Sequence, residues 1–184
     1  DDEYNIKNYI KTTKKDITDL EKQLKDLVLS VKNNFILELL KSFFDDKETL
    51  KSFLSHSAGR TMHHSYIGGL AEHTISVAQI CDFMSQRTKY SSRDILIASA
   101  LLHDIGKLHE LSEFPNNEYT DDGELLGHIM IGADMISKKI MSIKDFPSDL
   151  RAQIIHCILS HHGEYEFGSP KLPRSLEAII LHFA

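Results

Sequence analysis

The first proline in the chain is Pro115. Proline lacks a backbone donor and clashes with the preceding turn, so it is the residue that most reliably breaks a helix. Everything before Pro115 is free of it, and apolar residues there recur at spacings of three and four, the period of an α-helix. Ile17, Leu20, Leu24, Leu27, Val28 and Val31 form one stripe, with Lys, Asp and Glu on the other faces. This predicts an amphipathic, coiled-coil-like arm whose stripe packs as ordinary core. Residues 35–44 read as a second, more apolar helix. Asp45 or Asp46 can cap a third that runs to about Ser55.

Residues 60–69 read as a loop ending in Gly68-Gly69. Leu70, His73, Val77, Ile80 and Met84 then mark a helix of about 17 residues. Ser91 or Ser92 caps a helix over 94–103. Residues 116–123 are polar turn material with room for a short hairpin, and 125–141 are helical. Pro147 suits the first position of another helix, which Gly163 ends. Pro170 and Pro173 bracket a loop, and Leu176, Ile179, Ile180 and Phe183 begin a final helix. The sum is about seven to nine helices with essentially no sheet, an all-α bundle.

At 184 residues the chain is about one domain. Its apolar runs are too short to cross a membrane. No basic start is followed by an apolar core, so no leader is expected. The chain opens on Asp1 rather than Met, as a fragment or a processed chain would. Cys81 and Cys157 sit far apart among apolar neighbours, which predicts reduced core thiols and a cytoplasmic setting. The net charge of −6 excludes wrapping nucleic acid by bulk charge. Attraction for a phosphate polymer has to come from local groups or bound metal.

The chain has 11 histidines. His73 shares a helical face with Leu70, Val77, Ile80 and Met84. His128 shares one with Leu125, Gly132 and Met135, and His161 follows Ile154, Cys157 and Ile158. His103 and Asp104 close the apolar run 95–102. An unpartnered buried polar group costs about 1–3 kcal/mol, and a lone carboxylate more. Several helices that each send an imidazole inward therefore predict a shared task. Imidazole with carboxylate suits a divalent transition metal: Mn, Fe, Co, Ni or Zn. Mg²⁺ prefers oxygen ligands, and the cysteine count excludes thiolate zinc. An Asp beside a His at a helix end can bridge two metals, which at about 3.5–4 Å apart serve in-line displacement at phosphorus.

Residues 102–107, Leu-His-Asp-Ile-Gly-Lys, resemble the signature of HD-domain metal-dependent phosphohydrolases, and residues 63–74 resemble that superfamily's first ligand block. Residues 125–129, 160–164, 168–171 and 180–184 narrow the similarity to YhaM-type 3′–5′ exoribonucleases, over roughly residues 30–184. The resemblance implies an HD-domain helical bundle. Residues 1–55 would be an N-terminal helical arm and lead-in helices, and residues 56–184 an HD domain truncated at its C-terminal end. His73, His103 and Asp104 would bind one metal. Asp104 would bridge to a second held by His128 and by His161 or His162, the choice left open. Mn or Fe is the expected ion. Lys107 would hold a phosphate oxygen, His64 would touch the phosphate or leaving group, and Lys171 and Arg60 would contact a nucleic-acid backbone.

The resemblance further implies an Asp directly after Ala184, and an oligonucleotide-binding barrel that this chain does not carry. The expected activity is metal-dependent hydrolysis of single-stranded RNA from its 3′ end, releasing nucleoside 5′-monophosphates. One alternative, hydrolysis of a nucleotide or cyclic dinucleotide, uses the same residues; another, a non-enzymatic metal- or ligand-binding module, is motivated by the Asp expected after Ala184 and by the amphipathic first helix. The apolar faces of the first two helices leave room for a homo-oligomer.

Overall fold

A computed structural model of the chain describes residues 12–60 and 65–184. The regular elements among the described residues are helices: α1 (Ile17–Leu29), α2 (Asn34–Phe44), α3 (Lys47–Ser55), α4 (Gly69–Ser85), α5 (Arg93–Leu102), α6 (Lys107–Glu110), α7 (Asp121–Ser142), α8 (Ser148–Ser160) and α9 (Leu176–Phe183). A 3₁₀ turn, Tyr165–Phe167, joins α8 to α9. Two isolated β-bridges are the only extended pairing among the described residues.

The helix starts follow from side-chain caps. Asp16, Asn33, Asp46, Ser92, Thr120 and Ser175 each accept a backbone N–H in the first turn of the helix that follows. Pro147 precedes α8 as its cap residue, one position before the expected one. The short α6 was not anticipated. The loop after it closes with a single antiparallel bridge between Leu111 and Tyr119, the expected hairpin reduced to its minimum.

Two faces differ from their sequence pattern. On α4 the buried side is Leu70, Ala71, Thr74, Ile75, Val77, Ala78 and Cys81. Ile80 and Met84 are 42% and 38% exposed, because the small residues of this helix let α5 approach on an adjoining face. His73 therefore sits at the edge of the buried face. The helix α7 begins at Asp121 rather than 125, since Thr120 Oγ1 caps Gly123 N at 2.9 Å. Acidic Asp121, Asp122 and Glu124 favour its first turn through the helix dipole. Gly127 then leaves helical geometry (φ 70°, ψ 159°), and this kink takes Leu125, 81% exposed, off the face that His128 was expected to share with it.

The centre of the bundle is α5, buried from Ile95 to Leu102. It packs against α1, α2, α4, α8 and α9. Its first turn is pinned on two sides. Asp94 Oδ2 accepts the backbone N–H groups of Lys32 and Asn33 at 3.0 and 2.7 Å. Glu177 Oε1, from α9, accepts Ser92 N–H at 2.7 Å. Of the expected α1 stripe, Leu20, Leu24, Val28 and Val31 lie in the same core as α5 and Leu27 packs against it, whereas Ile17, in the first turn, is 38% exposed. Cys81 and Cys157 are free and buried, also as expected. Among the described residues no helix is long and apolar enough to cross a membrane.

Candidate metal centre

The pinned helix α5 ends at His103, followed by Asp104, and both are almost fully buried (4% and 2% exposed). The chain then turns tightly into α6. Gly106 lies against the backbone of α7, where a Cβ would come within 2.0 Å of His128 O and 2.6 Å of Gly132 N. That contact and the kink at Gly127 bring His128 over the carboxylate. His73 arrives from α4, and His161 and His162 from the end of α8.

Asp104 lies between two groups of imidazoles. Its Oδ2 is 3.5 Å from His73 Nε2 and 3.3 Å from His103 Nε2. Its Oδ1 is 3.5 Å from His128 Nε2 and 3.8 Å from His161 Nε2. His162 Nε2 joins this second group, 3.3 Å from His128 Nε2. The nitrogens of His128, His161 and His162 lie within 4.8 Å of one another, as do the donor atoms of His73, His103 and Asp104. All six expected ligands are thus brought together, and both members of the His161-His162 pair reach the cluster.

The other ring nitrogens fix the tautomers. A backbone carbonyl only accepts, so each ring nitrogen facing one must donate. His103 Nδ1 donates to Ala100 O at 2.7 Å, His161 Nδ1 to Ile158 O at 2.7 Å, and His162 Nδ1 to Phe167 O at 2.6 Å. His128 Nδ1 donates to Glu110 Oε1 at 2.9 Å. In the neutral rings the Nε2 lone pairs therefore point into the cluster, the form a metal requires.

The electrostatics agree. Burial, then the neighbouring His103 charge, pushes the His161 pKa well below the usual imidazole value. Burial likewise lowers that of His162. Burial alone would raise the Asp104 carboxyl, but the charges of His103 and Lys107 hold it well below the carboxylate range. Glu110 follows the same pattern, its burial outweighed by its hydrogen bonds with His128.

These residues fit a divalent cation. The lone pairs of His128 and His162 face each other at 3.3 Å and repel unless a positive charge lies between them. His161 Nε2 is buried without a hydrogen-bond partner among the described residues. The donor set is imidazole and carboxylate, with no thiolate nearby, and suits a transition metal better than Mg²⁺.

Lys107 donates to Asp104 Oδ2 and to Ala58 O, each at 2.7 Å. An ammonium has three protons, so one is left for a further acceptor. Glu110 is the residue that the sequence pattern did not single out. Its signal was its position three residues after Lys107, on the same face of α6. Arg60 is paired with Glu118 Oε2 at 2.7 Å. Lys171 faces a separate groove with His156 and Arg174. His64 lies outside the described residues. Glu110, His128 and His162 line one side of a cleft of about 350 Å³ that is rimmed by Leu125, Leu126, Met130, Phe167 and Pro170.

A buried helix ending in His-Asp, met by four further imidazoles from neighbouring helices, defines a metal-dependent hydrolase of the HD class. The HD domain family profile matches residues 70–184, and the chain belongs to that family. It is similar to the 3′-5′ exoribonuclease YhaM of Bacillus subtilis (strain 168), 32% identical over 179 residues that make up 97% of this chain and 56% of the relative. The YhaM exoribonuclease of Geobacillus sp. (strain WCH70) is 31% identical over 182 residues, 99% of this chain and 55% of the relative. That of Bacillus velezensis is 38% identical over 139 residues, 74% and 43% of the two chains. The chain spans about half the length of these curated relatives. No solved structure matches it.

Proposed function

We propose that the chain is the catalytic part of a cytoplasmic 3′–5′ exoribonuclease that releases nucleoside 5′-monophosphates from single-stranded RNA. The observation that carries this is the Asp104 carboxylate, whose two oxygens each face a separate imidazole group. The names of the similar proteins supply the substrate class.

His73, His103 and Asp104 Oδ2 would hold one ion. Asp104 Oδ1 with His128, His161 and His162 would hold a second, Mn or Fe being the best match to the donors. Such a pair supplies Lewis acidity and an activated water nucleophile. The chain's own residues do the rest. Lys107 directs its remaining N–H at a non-bridging phosphate oxygen, where negative charge grows during displacement. Glu110 and the three backbone carbonyls fix the tautomers and orientation of the imidazoles, and burial favours the neutral form of His161 and His162. The apolar rim of Leu126, Met130 and Phe167 receives the terminal base and narrows the access of water. Hydrolysis breaks the last P–O3′ bond; the water oxygen stays on the released 5′-phosphate and a proton passes to the O3′ left behind.

The test uses a short RNA labelled at its 5′ end, the chain loaded with Mn²⁺, and Asp104→Ala. The expected result is a ladder that shortens from the 3′ end, lost in the variant. Unchanged Mn²⁺-dependent trimming by Asp104→Ala would overturn the mechanism. Hydrolysis of nucleotides or cyclic dinucleotides with no trimming of RNA would move the substrate to a small phosphoester.

A further inference from the structure

The segment from Tyr165 to Lys171 has a different groove on each side. Phe167, Gly168 and Pro170 line the cleft beside His128 and His162. Tyr165 and Lys171, at the two ends of the same segment, line a second groove of about 470 Å³ together with Gln153, His156, Arg174 and Ser175. The wall between them is thin, since two residues of extended chain span at most about 7 Å. The His162 ring is itself tied to that wall through Phe167 O.

The second groove has the chemistry of a polyanion site in a chain whose net charge is −6. Its lining holds two cations and no carboxylate. Neither Lys171 nor Arg174 forms an ion pair with a described residue, whereas Arg60 is neutralised by Glu118. The Tyr165 side chain is 64% exposed, a flat apolar surface with nothing stacked on it among the described residues. His156 Nε2 accepts Arg174 N–H at 2.9 Å, which places the ring proton on Nδ1. Both cations line this groove with His156, and partial burial, then the charges of Arg174 and Lys171, lowers the His156 pKa.

We propose that this groove binds the nucleotides upstream of the 3′ end of single-stranded RNA. Tyr165 stacks on a base and Lys171 and Arg174 each neutralise a phosphate. The assignment rests on the exoribonuclease reading above. A strand whose last phosphodiester lies at Asp104 crosses the Phe167–Pro170 wall and continues along Tyr165. Single-strand sites elsewhere combine the same two elements, a basic track and an aromatic platform tolerant of sequence.

The test compares two substrates on the Mn²⁺-loaded chain. One is bis(p-nitrophenyl) phosphate, which reaches the cluster but is too short for the groove. The other is a short single-stranded RNA. Tyr165→Ala and the double variant Lys171→Ala with Arg174→Ala should each raise KM for RNA roughly 10-fold and leave the small ester unaffected. In the double variant the slope of log KM against log salt should fall by about 1.4, the contribution of two single-strand phosphates. Lys171→Arg with Arg174→Lys should restore the slope, which a loss of folding would not allow. If wild type trims RNA and the variants keep its KM and salt slope, the groove assignment falls and the exoribonuclease reading stands. If wild type hydrolyses the ester but never RNA, both fall.

Discussion

Glu110 Oε1 accepts two hydrogen bonds from one residue: the backbone N–H and the ring Nδ1 of His128, each at 2.9 Å. Glu110 ends α6 and His128 directly follows the kink of α7, so one carboxylate oxygen fixes both the path of α7 and the direction of the imidazole. Its negative charge also makes His128 Nε2 a stronger donor to a cation. Glu110→Gln keeps the shape and an acceptor but removes the charge. Metal affinity should fall about 10–100-fold, measured by competition with a chelating dye. If Glu110 only props α7, the melting temperature will fall while the affinity stays at the wild-type value.

Lys107 presents a different balance. Its ammonium sits 2.7 Å from Asp104 Oδ2, where it competes with any cation for that oxygen. Lys107→Ala should therefore leave metal affinity intact or raise it. The rate should still fall, by about 10²–10³ in kcat, because a donor aimed at developing phosphate charge is gone. Steady-state kinetics with isothermal titration of Mn²⁺ separates the two effects. A loss of metal together with the loss of rate would make Lys107 a support for the site.

The helices were legible in the sequence because helix periodicity and caps are local. Asp46 and Ser92 cap the helices they precede. Five of the six clustering residues were legible too, since polar side chains on buried stripes have to meet something; His162 entered only through the resemblance, as an alternative to His161. Distances along the chain hid the rest. Ile80 and Met84 fit the helical period but lie outside the contact with α5, and only the packing of small residues decides that. Leu125 left its expected face through the φ of 70° at Gly127, a conformation that a glycine permits without announcing. Glu110 looked like one more charged residue until α7 folded over it.

Acid should unfold the metal-free chain through its histidines. Burial lowers the pKa of His56, which is 3% exposed with Nε2 unpartnered among the described residues, and those of His161 and His162. The unfolded chain binds protons at about pH 6.5, where these folded rings do not. Stability is therefore complete above pH 6.5 and lost as pH falls from there toward the lowered folded values. Urea midpoints of the apo chain between pH 8 and pH 5 should show this decline. The variant His56→Leu should show a shallower one. Equal slopes in the two proteins would remove His56 from the explanation.

Gly106 is required for space rather than for conformation. Its φ of −63° suits any residue, yet a Cβ there would lie 2.0 Å from His128 O and 2.6 Å from Gly132 N. Both atoms are backbone of α7, so no side-chain rotation relieves the overlap and the helix itself must move. Overpacking of this kind costs about 1–3 kcal/mol or more, about 3–10 °C in Tm for a chain of this size. Because α7 carries His128, the same displacement should draw its Nε2 away from Asp104 Oδ1, now 3.5 Å distant. Gly106→Ala should thus lower both Tm and metal affinity. Gly59→Ala, with nothing within 4 Å of its added Cβ, should change Tm little. A Gly106→Ala chain that melts early yet binds metal as wild type does would show that the turn after Asp104 and the placement of His128 are independent.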